Sequence, residues 1–258
     1  MLPALLIFPL LALWFWWPLS PRKWVKSCTL SLLAASSLPV VVYFWRNQWL
    51  SPAATAWLQL WVSVVVTTFL FGFLWLIVRE LGWLISKLVR RPAGAQRWHG
   101  AQANITALVL TLLLTGIGTW NGLKPPAVHE QVLELSSLPE AMDGLRVAVL
   151  ADIHASPVKG AWRTTTIVVR TLAAQPDLIV LPGDLVDGPV PSTGPEVNAI
   201  AQLHAPYGVW IAPGNHEYYS DYNAWMTHFR SLGLKTLENQ SVNIDINGAR
   251  LALSGVGD

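Results

Sequence analysis

A long apolar run without a single charge is the feature that most limits the fold of this chain. It extends from Ala53 to Val78. A helix needs about 20 apolar residues to cross the hydrocarbon core of a bilayer, so this run can cross with some tilt. The alternative, a helix bundle of a soluble protein, would have to bury every side of such a helix. We therefore interpret the run as a membrane span.

Three further apolar stretches accompany it, at Leu2 to Leu19, Cys28 to Trp45 and about Ile105 to Trp120. The last is the most marginal because two glycines interrupt it. Twelve of the 15 tryptophans fall in residues 1–124, and many lie near the ends of these stretches, as in the aromatic belts of membrane proteins. The sequence predicts an N-terminal α-helical transmembrane bundle of four spans over residues 1–124.

The charge of the chain is divided between its halves. Only 12% of residues are charged, about half the share in an ordinary soluble domain. Residues 1–124 carry ten Lys and Arg against one acid, whereas the remainder carries seven against fourteen. We therefore expect two domains, the first in the lipid bilayer and the second in water. The acidic second half disfavours nucleic-acid binding.

The basic residues also predict the orientation of the spans. They cluster in the first and third loops between spans, at Arg22, Lys23, Lys26, Arg79, Lys87, Arg90, Arg91 and Arg97. The positive-inside rule places these loops in the cytoplasm, which leaves the second domain outside. We expect an integral protein of the plasma or inner membrane, with the lipid bilayer as partner and residues 80–91 as an interfacial helix. The single cysteine excludes an internal disulfide.

The second half has the pattern of an α/β domain. Residues 125–144 are predicted to be a linker with an edge strand near Val132 to Leu135. The remainder, residues 145–258, alternates apolar strand patterns with helical ones, which indicates a largely parallel sheet. Strands are predicted at 145–150, 178–181, 209–212, 242–246 and 250–254, and helices at 163–174, 195–204 and 222–232.

Polar residues follow three of these strands at similar intervals. Asp152 and His154 follow the first, Asp184 and Asp187 the second, and Asn215-His216-Glu217 the third. Parallel sheets place ligands at the carboxyl ends of their strands. Oxygen and nitrogen donors suit a hard or borderline divalent metal ion. An Asp184 held between the other pairs could bridge two metal ions, an arrangement used for in-line attack on phosphorus.

In this order and at this spacing, the three motifs resemble those of the calcineurin-like metallophosphoesterases. The resemblance extends to membrane-anchored bacterial members such as the UDP-diacylglucosamine hydrolases. It implies an α/β metallophosphoesterase-type sandwich domain with two divalent metal ions, Mn, Zn or Fe. A hydroxide held between the metal ions would be the nucleophile.

The same resemblance implies a role for each motif residue. Asp152 and His154 would hold one metal ion, Asp184 would bridge it to a second, and Asn215 would bind the second. His216 would stabilise or protonate the leaving group, and Asp187 would orient its imidazole. Each residue also has a plainer interpretation as a turn, cap or structural residue.

The sequence departs from the family beyond Glu217. An isolated histidine and a Gly-His-x-His motif should supply further ligands, yet no histidine follows His228. Either the sequence is a fragment of a longer protein or the chain has a degenerate site. The end at Asp258, just past a predicted strand, favours a fragment, so we expect the sandwich domain to be incomplete at its C-terminus.

The expected function is hydrolysis of a phosphomonoester, phosphodiester or pyrophosphate bond, with lipid-linked or envelope molecules as candidate substrates. A non-catalytic membrane scaffold with a degenerate interaction domain is the alternative. A four-span transporter is disfavoured because its spans should contain buried ionisable residues, and the four apolar stretches carry essentially none. The sequence does not indicate the substrate, the metal or the oligomeric state.

Overall fold

The computed structural model describes residues 52–257. The chain divides into two compact units between Leu123 and Lys124. The first two predicted spans, Leu2 to Leu19 and Cys28 to Trp45, lie outside the described residues.

The described part of the first unit is helical. Its helices are α1 (Pro52–Leu88), α2 (Pro92–Trp98) and α3 (Ala101–Leu123). Helices α1 and α3 are long and apolar enough to cross a membrane. The third and fourth apolar stretches are thus confirmed as helices, and both helices extend beyond the predicted bounds. Gly116 and Gly118, the glycines that interrupt the apolar stretch, lie inside α3 and do not end it.

The prediction of a separate interfacial helix at residues 80–91 is wrong, because α1 continues through it to Leu88. Arg79, expected in a loop, lies inside α1 with 1% of its surface exposed. Its guanidinium donates to Glu80 Oε1 at 2.9 and 2.7 Å and to Asn104 Oδ1 at 3.3 Å. Nε2 of His99 lies 3.3 Å from the same Glu80 oxygen. A buried charge needs such partners. The expectation that these spans lack buried ionisable groups is therefore also wrong.

Helix α3 packs through small and polar residues. Asn104, Ala107, Thr111 and Thr115 are buried at intervals of three and four residues, which places them on one face. Thr68 Oγ1 of α1 donates to Thr115 Oγ1 at 3.3 Å. Small residues and interhelical hydrogen bonds are typical of contacts between membrane helices.

The second unit is built on a parallel sheet. Its strands are β1 (Val147–Val149), β2 (Leu178–Pro182), β3 (Val209–Ala212) and β4 (Lys235–Thr236), which neighbour one another in that order. Strands β5 (Gln240–Ile246) and β6 (Ala249–Gly255) form an antiparallel hairpin. The helices are α4 (Gly160–Ala173), α5 (Val190–Val197), α6 (Asn215–Tyr219) and α7 (Tyr222–Ser231). The predicted α/β domain with a parallel sheet is confirmed.

The sheet is covered on both faces. Ile179, Leu181 and Ile211 belong to one core with Trp225 and Phe229 of α7. Side chains of the opposite face, including Leu178, Val180 and Trp210, pack with Ile244 and Ile246 of the hairpin and with Met142 of a short 3-10 helix (Glu140–Met142). Strand β2 is therefore buried on both sides, which explains its continuous apolar run.

Two local predictions were wrong, and two short elements were missed. No strand forms at Val132 to Leu135, where Val132 is 90% exposed, because this segment has no neighbouring strand with which to pair. Helix α5 begins at Val190 and gives way at Asn198 to a 3-10 helix (Asn198–Gln202). Helix α6 and strand β4 were not predicted, and both are too short to give a periodic pattern.

Candidate metal centre

Three loops meet at the carboxyl edge of the sheet. The first loop (152–155) follows β1, the second (183–187) follows β2, and the third (213–216) follows β3. The first two loops run side by side because His154 N–H donates to Asp184 O at 3.0 Å and Ala155 N–H donates to Leu185 O at 2.7 Å. Asp187 N–H returns a bond to Ala155 O at 2.9 Å. Adjacent parallel strands thus bring these loops together, as the sequence predicted.

Three polar residues of the first and second loops have left-handed backbone conformations. Asp152, His154 and Asp184 have φ angles of 54°, 47° and 54°. This conformation costs roughly 1–2 kcal/mol for a residue with a Cβ, and such strain is concentrated at functional sites. The surrounding backbone hydrogen bonds hold it in place.

Two glycines allow the second and third loops to approach closely. Gly183 has a φ of 86°, and a Cβ atom there would collide with the backbone of Gly214. A Cβ atom on Gly214 would collide in turn with the backbone of Asp184. This approach lets His216 N–H donate to Asp184 Oδ1 at 3.0 Å. The Gly-Asp and Gly-Asn pairs of the motifs therefore have a steric reason.

The loops bring His154, Asp184 and His216 into one cluster. A ligand atom of each lies within 4.8 Å of the other two. Both imidazoles share one anchor, because Nδ1 of His154 and Nδ1 of His216 each lie 2.7 Å from Asp187 Oδ1. This pairing leaves the Nε2 atoms of both rings available. Two imidazoles and a carboxylate fit a divalent ion such as zinc, manganese or iron.

The other two predicted ligands lie outside this three-residue cluster. The Asp152 side chain is 72% exposed, with Oδ1 3.8 Å from His154 Nε2. Asn215 begins α6, and its amide donates to the Tyr219 hydroxyl at 3.4 Å. The role of His216 at the leaving group and a second metal ion stay predictions. Asp187 contacts the rings of both His216 and His154; its role in orienting His216 stays a prediction, and the contact with His154 was not predicted.

Glu217 is a structural residue of the site that the sequence reasoning left without a role. Its carboxylate is fully buried and accepts the backbone N–H groups of Asp184, Leu185 and Gly214 at 3.0, 2.8 and 2.8 Å. Burial raises the pKa of Glu217, and these hydrogen bonds oppose the rise. An acid three residues after a helix N-cap commonly accepts a hydrogen bond from the N-cap N–H, so the bond from Gly214 to Glu217 could have been predicted from the sequence. The bonds to the second loop were not.

Two basic side chains stand beside Asp187. Lys159 Nζ lies 3.8 Å from Asp187 Oδ2, and burial lowers the pKa of Lys159 despite that carboxylate. Arg163 donates from Nη1 to Ile153 O at 2.7 Å. Burial also lowers the pKa of Arg163. Positive charge next to a metal-binding cluster favours an anionic substrate.

Comparison with known proteins agrees with this geometry. Residues 145–252 match the family model of the calcineurin-like phosphoesterases. They form a calcineurin-like metallophosphoesterase domain. The cluster of His154, Asp184 and His216 fits a metal site in such a domain.

Relatives in animals and bacteria carry similar domains. A zebrafish protein named transmembrane protein with metallophosphoesterase domain is 30% identical over 76% of this chain and 44% of its own length. A bovine protein of the same name is 33% identical over 59% of the chain and 36% of its own length. A metallophosphoesterase of Aquifex aeolicus is 28% identical over 51% of the chain and 49% of its own length. The chain thus spans less than half the length of each. No solved structure matches it.

These names and the two long apolar helices together indicate a membrane protein. The relatives include vertebrates as well as bacteria, so a bacterial origin stays a prediction. Four spans and an outward-facing domain also stay predictions.

Proposed function

We propose that this protein is a membrane-anchored, metal-dependent phosphoesterase acting on a phosphomonoester, phosphodiester or pyrophosphate bond of a lipid-linked or envelope substrate. The observation that supports it most directly is the cluster of His154, Asp184 and His216, with both imidazoles fixed by Asp187. Packing alone gives no reason to gather these groups at one edge of a sheet.

In this proposal, His154, Asp184 and Asp152 would hold a first divalent ion, and Asp184 and Asn215 would hold a second. Divalent ions in such a site lower the pKa of water and offset negative charge on the phosphoryl oxygens. Asp187 accepts the Nδ1 proton of His216, so that Nε2 of this ring can face the leaving group. Lys159 adds a positive charge beside Asp187, where an anionic substrate would enter.

The spans would keep the domain at the membrane, and the charge asymmetry of the loops supports an extracytoplasmic location. The spans would then serve as an anchor, and the chemistry would belong to the metallophosphoesterase domain. The substrate class follows from this placement, because an anchored enzyme meets phosphoesters of the bilayer and envelope at high local concentration.

The test uses the full-length protein in detergent with bis-p-nitrophenyl phosphate and p-nitrophenyl phosphate. We expect Mn²⁺, Zn²⁺ or Fe²⁺ to support release of p-nitrophenol and Asp184→Asn to abolish it. His216→Ala should retain bound metal and lose at least about 100-fold in kcat, the usual range for a proton donor. Loss of metal by this variant would make His216 a ligand instead. If the wild-type protein binds metal but hydrolyses no phosphoester, the alternative function, a non-catalytic membrane scaffold, would be favoured.

A further inference from the structure

An exposed aromatic side chain lies beside the metal centre. Tyr219, the last residue of α6, is 77% exposed. Its ring centroid lies 5.7 Å from that of the His216 imidazole, and the two ring planes are inclined by 56°. Its hydroxyl accepts a hydrogen bond from the Asn215 side-chain amide at 3.4 Å. Tyr219 therefore contacts both residues of the third loop to which the proposed function gives a chemical role.

Packing does not explain the position of this ring. Tyr218, the preceding residue of α6, stacks on Tyr222 with ring centroids 4.5 Å apart and planes inclined by 9°. Within the described residues, the ring contact of Tyr219 is with His216, and Tyr219 belongs to neither core cluster of the domain. An aromatic ring that stabilises a fold buries a large apolar area. The Tyr219 ring is instead open to a molecule that enters from solvent.

The neighbours of His216 indicate which part of a substrate this ring would meet. Nδ1 of His216 lies 2.7 Å from Asp187 Oδ1, and Asp187 in turn lies beside Lys159, whose charge would attract the phosphoryl group. The His154 ring, 4.4 Å from His216 by centroid, belongs to the three-residue cluster. The uncharged Tyr219 ring lies outside that cluster. Because His216 faces the leaving group in the proposed function, a leaving group next to this imidazole would reach the Tyr219 ring.

We propose that Tyr219 determines the leaving-group specificity of the site, because its exposed ring is a platform on which an aromatic or heteroaromatic ring of the leaving group stacks. This inference rests on the proposed phosphoesterase function and adds a class of substrate to it. A pair of aromatic rings gains about 2- to 12-fold in affinity beyond the burial of apolar area. Phosphoesters of aryl or heteroaryl leaving groups are therefore preferred to those of saturated leaving groups of the same size.

The test compares phenyl phosphate with cyclohexyl phosphate, whose leaving groups have similar size and differ in aromatic character. Phosphate release by the full-length protein in detergent with Mn²⁺ gives kcat/KM for each ester, and specificity is the ratio of the two values. Tyr219→Leu removes the ring and keeps an apolar side chain, whereas Tyr219→Phe keeps the ring. Tyr218→Leu, which removes the neighbouring ring of the same helix, is the matched control. The different intrinsic reactivity of the two esters cancels when variants are compared.

We expect Tyr219→Leu to lower the ratio of kcat/KM for phenyl phosphate to that for cyclohexyl phosphate by about 2- to 12-fold. Tyr219→Phe should change this ratio by less than about twofold, because it keeps the stacking surface. Tyr218→Leu should leave the ratio unchanged even if it lowers the melting temperature. An unchanged ratio in Tyr219→Leu, or an equal fall in Tyr219→Leu and Tyr219→Phe, would overturn the inference.

Binding of phosphonates separates this inference from the proposed function. Phenylphosphonate and cyclohexylphosphonate have a phosphorus–carbon bond in place of the ester bond, and isothermal titration calorimetry measures their affinities for each variant. If the wild-type protein hydrolyses neither ester but prefers phenylphosphonate, and Tyr219→Leu removes that preference, the phosphoesterase function fails and the platform stands. If the wild-type protein hydrolyses the esters and Tyr219→Leu leaves its preference between the phosphonates unchanged, the platform fails and the phosphoesterase function stands.

Discussion

Replacing Glu217 by glutamine removes one of the two carboxylate oxygens that connect the second and third loops. Oε2 of Glu217 accepts hydrogen bonds from the backbone N–H groups of Asp184 and Gly214, and Oε1 accepts one from the backbone N–H of Leu185. Glutamine keeps one acceptor oxygen. In its best orientation this oxygen replaces Oε2, and the NH₂ group then faces the buried N–H of Leu185.

The magnitude follows from these three bonds. A buried donor left without an acceptor costs about 1–3 kcal/mol. The N–H groups of Asp184 and Gly214 would then donate to a neutral amide oxygen instead of a charged carboxylate, so each of these two hydrogen bonds contributes roughly 1 kcal/mol less. Burial raises the pKa of Glu217, so the uncharged amide avoids part of the cost of burying a charge. We expect the free energy of unfolding of the domain to fall by about 2–4 kcal/mol.

Calorimetry of the whole chain in detergent measures this change as a fall in the melting temperature of roughly 5–15 °C. Hydrogen exchange should locate it at the amides of Asp184, Leu185 and Gly214. Glu134→Gln, at an exposed linker position, is the control and should shift neither measurement. A destabilisation below about 0.5 kcal/mol, the range of ordinary surface substitutions, with all three amides still protected would refute this account of Glu217.

Three further predictions concern the site and the topology. Asp187→Ala removes the shared anchor of both imidazoles and should lower metal affinity or activity by about 10- to 100-fold, measured by metal titration and turnover; an unchanged titration and rate would contradict that anchoring role. Gly183→Ala should destabilise the domain more than Gly248→Ala, because both have similar positive φ angles but only Gly183 abuts another backbone; equal melting temperatures would show that the close approach relaxes without cost. Asn243→Cys in a Cys28→Ser background should react with a membrane-impermeant maleimide from outside intact cells, and reaction only after lysis would place the domain in the cytoplasm.

The parts of the fold that the sequence predicted share a simple physical origin. Strands β2 and β3 are short apolar runs, each ended by a Pro-Gly pair. Burial on both faces makes such runs continuous, and proline with glycine ends them sharply. Because parallel strands share one carboxyl edge, the polar residues after them could be placed together without knowledge of the loops.

The parts that the sequence did not predict depend on partners distant in the chain. Glu217 bonds to Leu185, and Arg163 bonds to Ile153 and Lys124, which no local pattern indicates. Arg79 was misplaced because a charge normally ends a membrane span. Here Glu80 and Asn104 compensate it inside the helix pair, and that pairing became visible only in three dimensions.

The left-handed geometry of Asp152, His154 and Asp184 restricts how these positions can vary and how they can be studied. Asparagine tolerates this backbone at least as well as aspartate, whereas alanine and β-branched residues do not. An alanine scan of the first and second loops would therefore mix lost chemistry with a distorted main chain. Substitutions by asparagine keep the turn and change only the charge, so natural drift at these two aspartates should favour asparagine or glycine.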